Sequence, residues 1–498
     1  MKKNLYSKII SVEKRKKNLQ ILNQLLEKEK ESICKALYLD LHKPNFESYY
    51  LEIKQVQHDI QAHLDNLDKW LKQDIFINPI KYLTIFLTGY GKAVIEYKPR
   101  GRVLIIGAWN YPINLSLQPL VGSISAGNIS TVVFPSSKYT EHTSNLMVTL
   151  FEKYFKNKNI YATIGGKENI TNMLQKKWDF IFYTGSSAVG KIIYQKASKN
   201  LTPVVLELGG KSPCIIDKQY NMNLLVKRIL WGKLINCGQT CICPDYFLVD
   251  EKFGNQFIKL LIQCIRCFYR NNIKQTKDYG RIVNYKAFKR LSNIIEKDID
   301  YIEYGGNYVE KELFIEPTII NFKNNREAFL NSFSMKDEIF GPLIPIYYFK
   351  NENDIYNIIE KYPEPLVAYL FFSRWRRIES NIKAGSIVIN DTLIQMNSPL
   401  PFGGIGKSGI GKYHGKYSFD IFSYQRSKLI RYNFGEIPAR FPPYDIFWKK
   451  MLLKISQSTI SMKYIDILYW ISKNIVNLMF YLILAFLIFD FLFFKVYF

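Results

Sequence analysis

WDFIFYTGSSAVGKIIYQKAS, residues 178–198, decides the fold class. A run of strand character enters Gly185, and a helix-like stretch begins within the next few residues. Units of the same kind lie to either side. AVIEYKPRGRVLIIGAW (93–109) holds two strand-like runs about a Pro-Arg-Gly break, and STVVF (130–134) is another strand. A second α/β stretch extends from about 208 to 390, after which 391–416 is rich in Gly, Pro and Ser. Residues 1–75 read as helical. Strands alternating with helices predict a parallel sheet in an α/β fold.

The turn in the opening stretch is of a kind that suits an anion. Backbone N–H groups at a helix start attract phosphate, and glycine lets the chain approach it closely. Gly185, four residues, Gly190 and Lys191 nearly spell a P-loop, but Ile192 stands where that loop needs a hydroxyl for Mg²⁺. No G-x-G-x-x-G follows a first strand either. Alone, the stretch fits a phosphate ligand and a plain strand–turn–helix equally.

VVLELGGKSP (204–213) puts Glu207 among apolar residues at the end of a strand-like run. Desolvation there raises a carboxyl toward general-base values, although nearby backbone amides are an alternative partner. INCGQTCIC (235–243) follows a helical run, Asn223–Ile235, with Gly238 as its stop. Cys237 and Cys241 resemble half of a zinc site, and the other half would have to come from Cys264 and Cys267 inside a helical segment. A loop cysteine beside a small turn fits a covalent nucleophile better, with Cys237 and Cys243 as packing residues. No metal is expected.

The chain has 498 residues, a net charge of +25 and seven cysteines. Few cysteines and no N-terminal apolar run predict a reducing, cytosol-facing protein without a signal peptide. The lysines are spread along the chain without zinc-finger spacing or RNA-binding aromatics, so nucleic-acid binding is not expected. IVNLMFYLILAFLIFDFLFF (475–494) is interrupted only by Asn477 and Asp490. As a helix it covers about 30 Å, enough to cross a bilayer as a tail anchor. Lysines before it favour a cytosolic body.

Taken in order, GAWNYP (107–112), FYTGSSAVG (182–190), LELGGKSP (206–213), NCGQTC (236–241), DEIFGP (337–342) and PFGGIGKSGIG (401–411) resemble the aldehyde dehydrogenase family, most closely its class 3, membrane-anchored branch. The resemblance covers nearly all of 5–440. It implies a Rossmann-type NAD(P) domain with N-terminal helices (1–207, including part of a small β oligomerisation element near 80–100) and an α/β catalytic domain (208–390). A return to the cofactor domain (391–440), an amphipathic linker (441–474) and a transmembrane helix (475–494) complete the chain.

By the same resemblance Cys241 attacks the aldehyde, Asn110 and the Cys241 N–H hold the oxyanion, and Glu207 activates water. NAD, with NADP possible, lies on Gly185, Ser186, Val189, Gly190, Leu208, Glu338 and Phe340. The substrate implied is a medium- or long-chain aliphatic aldehyde, the assembly a homodimer, and the membrane that of the endoplasmic reticulum. The alternative is a catalytically weak membrane scaffold that keeps the fold. One departure stands out: where the family reads Lys-Pro-Ser-Glu, this chain has Phe134 and Ser137 in the Lys and Glu places, with Lys138 beside them.

Overall fold

The computed structural model describes residues 10–72, 74–76, 91–156, 159–217, 221–270, 272–397, 399–431, 441–443, 447 and 474. Apart from those last few positions, the linker and membrane run predicted for 441–494 lie outside the described residues. Among the described residues no helix is long and apolar enough to cross a membrane.

The N-terminal region is helical as read. Val12–Lys28 is capped by Ser11, whose hydroxyl accepts from Lys14 N, and it buries Leu19, Leu22, Leu25 and Leu26 along one stripe. Lys30–Leu41 ends on His42 in the left-handed conformation. A π-helical turn, Ser48–Lys54, leads into Gln55–Leu71.

A six-stranded sheet follows, in the order Gly409–Ile410, Val204–Glu207, Phe180–Thr184, Arg102–Ile106, Ile129–Phe134, Ile160–Ile164. Five strands are parallel, in the register Val103 to Phe180 on one side and Val103 to Ser130 on the other. Gly409–Ile410 runs antiparallel to Val204–Glu207, a late return that local pattern did not predict. The inner strands Arg102–Ile106, Phe180–Thr184 and Val204–Glu207 are largely buried because helices cover the sheet, while the edge strand Ile160–Ile164 is partly exposed. Leu104, Ile106, Val133, Ile181, Tyr183 and Leu206 form one such interface, with Ile193 and Ala197 of the helix Ser187–Ser198. The chain leaves the central strand Arg102–Ile106 in one direction and returns on its other side at Phe180. The carboxyl ends of these two strands are therefore the topological switch point, where open α/β sheets bind ligands.

A second sheet has the order Ile302–Tyr304, Thr318–Asn321, Leu343–Phe349, Tyr246–Asp250, Pro213–Ile216, Val367–Phe371, Ser386–Ile389, all parallel except the first. Its inner strands are rich in Ile, Val, Tyr and Phe and almost wholly buried, while the edge strands Ile302–Tyr304 and Ser386–Ile389 are partly exposed.

A separate compact unit begins at Leu71, resumes after Tyr97 with Gln425, and holds a three-stranded sheet of Asp74–Phe76, Gly91–Pro99 and Ser423–Arg431. Asp74–Phe76 begins within the last residues of the stretch read as helical. It pairs instead with 93–95, because a partner strand distant in sequence offers its backbone. Glu96 accepts from Arg426 Nε at 3.0 Å within this unit.

Candidate active site

The switch point gathers the predicted cofactor residues. Gly185 N donates to Glu207 O at 3.0 Å, joining the ends of two adjacent strands. Ser186, extended at φ −70° and ψ 147°, precedes the helix Ser187–Ser198 without a side-chain cap, so its first-turn N–H groups are left to a ligand or solvent. Gly190 lets this helix pack on Leu208: a Cβ there would lie 2.8 Å from Leu208 Cδ2. Val189, on the same turn, is exposed. A dinucleotide phosphate fits this glycine-lined helix start.

Phe134 does not face that turn. It is fully buried at the end of its strand, edge-on to Phe151 at 5.5 Å. Ser136 caps the following helix through Lys138 N, while Lys138 is exposed. A core phenylalanine cannot address a ribose, and the strand end offers hydroxyls and a lysine in place of a carboxylate.

Glu207 ends its strand 3% exposed, and neither of its oxygens accepts a hydrogen bond among the described residues. The alternative that backbone amides satisfy it is thereby answered. Burial pushes its carboxyl well up, and Lys412 acts against this. An orphaned buried carboxyl at a ligand-binding crevice is costly, so a function has to account for it.

The cysteine segment is held by an unusual turn. Met222–Leu234, capped by Asn221, gives way to Asn236 (φ 50°), Cys237 (φ 54°) and Gly238 (φ 74°), three successive left-handed residues. Two of them are not glycine, which is strained backbone that the surroundings must enforce. Glu47 accepts from Asn236 N at 2.9 Å. Gln239 Nε2 donates to Asn236 O and Arg281 O, while its Oε1 accepts from Val283 N. Cys237 and Cys243 are buried, and Cys241 is only half-buried.

Cys241 opens on a cleft of ≈ 400 Å³, counting the solvent at its mouth, walled by Tyr111, Leu115, Ile242, Met396, Phe402 and His414. Burial, then Glu338, then Glu207 push its thiol up. The three groups thus share one electrostatic neighbourhood. Burial lowers His414 to about 3, so this wall carries no charge at neutral pH.

Asn110 follows the central strand, 3% exposed, and one of its two amide N–H donors goes to Gln239 O at 3.0 Å. Its backbone carbonyl accepts from Lys43 Nζ at 2.8 Å and Asn236 Nδ2 at 2.9 Å. Lys43 is paired at 2.5 Å with Glu52, whose other oxygen accepts from Ile113 N and Asn114 N. Both partners are 0% exposed. Removing one partner of such a buried pair costs about 3–5 kcal/mol, so the pair fixes the 110–114 loop firmly.

Glu338 sits against Gly209, where a Cβ would run into its carboxylate. Burial and the neighbouring Asp245 push it up to about 8, favouring a protonated group that both donates and accepts. Lys211 bonds Asp245 and donates to Ser334 O and Asp337 O at 2.9 Å, and Asp245 accepts from Ile339 N, anchoring the loop. Phe340, at φ 48°, stands edge-on to Trp109 at 5.5 Å, and Trp109 stacks on Tyr139.

Cys241, Glu207 and Glu338 thus share one neighbourhood, Gly185, Gly190 and Leu208 adjoin it at the strand ends, and Asn110 joins it through Gln239. Phe134 stays in the core, and Cys264 and Cys267 lie on the helix Gly254–Tyr269. A thiol, an unpartnered carboxyl and a fixed amide donor are the groups that covalent acyl transfer needs. Sequence reasoning missed Tyr111, whose hydroxyl bonds Thr240 Oγ1 at 2.9 Å, and Gln239, though both lie inside quoted motifs. It also missed Lys211, inside the quoted LELGGKSP, and Lys43 and Glu52, for which no local signal exists. Among the described residues no three metal-ligating side chains come together.

Comparison with known proteins gives a consistent result. The pattern of the aldehyde dehydrogenase family matches residues 6–428. "Aldehyde dehydrogenase family 3 member A2" of Pongo abelii is 39% identical over 449 residues, 88% of this chain and 89% of that protein. "Aldehyde dehydrogenase, dimeric NADP-preferring" of Mus musculus is 38% identical over 436 residues, 86% and 93% of the two chains. A solved structure, "Substrate bound state of Staphylococcus Aureus AldH", superposes with a TM-score of 0.84 at 36% identity, covering 89% of this chain and 95% of the other.

Proposed function

Since the chain belongs to the aldehyde dehydrogenase family, an NAD(P)-dependent group of oxidoreductases, we propose that it oxidises medium- and long-chain aliphatic aldehydes to carboxylic acids at Cys241. The observation that carries this reading is the half-buried thiol at the floor of an apolar cleft, within electrostatic range of a carboxyl that has no partner.

In this reading the Cys241 thiol gives up its proton to solvent, its Sγ bonds to the aldehyde carbon, and the carbonyl π pair moves to oxygen as a thiohemiacetal anion forms. The second amide N–H of Asn110 and the backbone N–H of Cys241 receive the developing oxyanion; preorganised donors of this kind are worth roughly 3–4 kcal/mol of barrier each. Gly185, Ser186, Val189, Gly190 and Leu208 would hold the dinucleotide's phosphates, with Glu338 at a ribose and Phe340 beside the nicotinamide. When bound there, NAD or NADP supplies the two-electron acceptor for the oxidation. Cys241 is left as a thioester. Glu207, a carboxylate without a hydrogen-bond partner among the described residues, takes a proton from the water that releases the acid. The apolar walls bind the alkyl chain and exclude bulk water from the thioester.

The cleft supports an aliphatic substrate, and burial of each CH₂ gives about 0.8 kcal/mol, or about fourfold in kcat/KM. The full-length protein is expected to reduce NAD⁺ or NADP⁺ with straight-chain aldehydes, and kcat/KM is expected to climb with chain length before levelling. A flat or falling series would refute the fatty-aldehyde assignment.

The apolar run 475–494 supports a tail anchor, and the lysines before it support a cytosolic catalytic body. Likeness to class 3 relatives, one of them named dimeric, supports an endoplasmic reticulum membrane and a homodimer as the working form. Full-length protein is expected to float with phospholipid vesicles, and a chain ending at residue 440 to stay in the soluble fraction. If the shortened chain floats as well, the anchor lies elsewhere.

A further inference from the structure

Glu207 is buried with neither oxygen hydrogen-bonded, and burial drives it toward the neutral acid. Among the described residues Lys412 is the cation that opposes this. It follows the edge strand Gly409–Ile410, in which Gly409 pairs with Glu207. Its Nζ donates to Gly403 O at 2.6 Å and Gly385 O at 3.0 Å, occupying two of three ammonium donors. The two side chains converge at Gly403: a Cβ there would lie 2.9 Å from Glu207 Oε1 and 3.1 Å from Lys412 Cδ. They nevertheless make no hydrogen bond to each other. The other titratable groups that feel Glu207 are the thiol of Cys241 and the phenol of Tyr413, both pushed up by burial and neither a source of positive charge. Glu338 adds a further carboxyl on the thiol side.

We propose that Lys412 is a positioning residue for the water-consuming half of the reaction: its ammonium, fixed by two carbonyls, keeps Glu207 ionised without bonding to it. A direct salt bridge would supply the same charge but would cover the oxygens that water has to reach. In this half-reaction a water oxygen bonds to the acyl carbon, one water proton passes to Glu207, and the C–S bond breaks with its electron pair going to Sγ. The carboxylic acid leaves and Glu207 returns its proton to solvent. The inference rests on the reading of Glu207 as the base.

The experiment isolates that step. Full-length protein is acetylated at Cys241 with p-nitrophenyl acetate in the absence of dinucleotide, p-nitrophenolate leaving as the S–C bond forms. Loss of the acetyl mass is then timed from about pH 5 to 9, across the range where a raised carboxyl titrates. The rate falls on the acid side as Glu207 takes up a proton. Lys412→Met moves this limb upward by about one pH unit or more, making deacetylation about tenfold slower along it, while acetylation and the alkaline plateau stay as in the wild type. Lys412→Arg restores the limb. Should the Met variant not fold, Lys412→Gln, which still donates to a carbonyl, is read in the same way.

A purely structural staple would change the unfolding temperature and leave the limb in place, and that result overturns the proposal. So does an Arg variant indistinguishable from the Met variant. An acetyl group that never appears on Cys241, or whose loss is indifferent to Glu207→Gln, refutes the proposed function together with this inference. An adduct whose loss depends on Glu207 and not on Lys412 refutes the inference alone.

Discussion

Cys241→Ser is expected to reduce aldehyde oxidation by on the order of 10⁴-fold or more, the usual consequence of removing a covalent nucleophile. The imidazole on the cleft wall, His414, is lowered to about 3 by burial and is too weak a base to take a serine hydroxyl's proton. Burial and two neighbouring carboxyls oppose an alkoxide even more than they oppose a thiolate. Dinucleotide affinity, measured by calorimetry, is expected to stay within about twofold of the wild type, because the glycine turn and Glu338 do not depend on the sulfur. Cys237→Ala and Cys243→Ala serve as controls. Both thiols are buried, and Cys243 contacts the carbonyls of Lys233 and Pro244, so these variants lose stability before they lose chemistry. Turnover that survives Cys241→Ser, or an acyl adduct mapped to Cys237 or Cys243, would overturn the assignment.

Glu207→Gln separates the two halves of the reaction. The shape of the side chain is kept, the oxyanion donors are untouched, and only the proton acceptor is lost. One equivalent of reduced cofactor is expected to appear in a rapid burst. Steady-state turnover then falls by about 10²- to 10⁴-fold, the contribution of a general base, and intact-mass analysis finds the acyl group held on Cys241. A variant that turns over normally, or that loses the burst along with the steady state, would mean that Glu207 does not serve the hydrolysis. The orphaned oxygens of Glu207 make the mutation mild for folding, since no hydrogen bond is broken.

Much of this architecture was legible because it is locally determined. A strand, a glycine and a helix start occupy one short stretch, so the strand–turn–helix about Gly185 and Gly190 could be read from pattern, while their cofactor role came from the family resemblance. Glu207 was legible as a desolvated carboxyl because its flanks are apolar. Whether it had partners was not, since that depends on what arrives from elsewhere. What escaped was long-range. Lys43 and Glu52 reach the Asn110 loop from the N-terminal helices, and the π-helical turn Ser48–Lys54 that delivers Glu52 has no sequence signature. Gln239 was visible as a letter in a turn, yet its three hydrogen bonds run to backbone on either side of it and beyond. Asp74–Phe76 became a strand only because distant residues paired with it. The resemblance named the Lys and Glu places near the adenosine, and the structure explains Phe134 differently, as a core residue packed on Phe151.

The return strand Gly409–Ile410 bears on how the protein is born. Until the ribosome has made most of the chain, Val204–Glu207 is an uncovered sheet edge, with its carboxyl facing water instead of a closed pocket. The nascent polypeptide can therefore lay down the five parallel strands of the first sheet early, yet it gains a working carboxylate only when this late segment docks. A transcript cut short anywhere upstream of it yields a sticky, inert fragment rather than a weak enzyme. Quality control then meets two classes of product, finished and useless, with little between them.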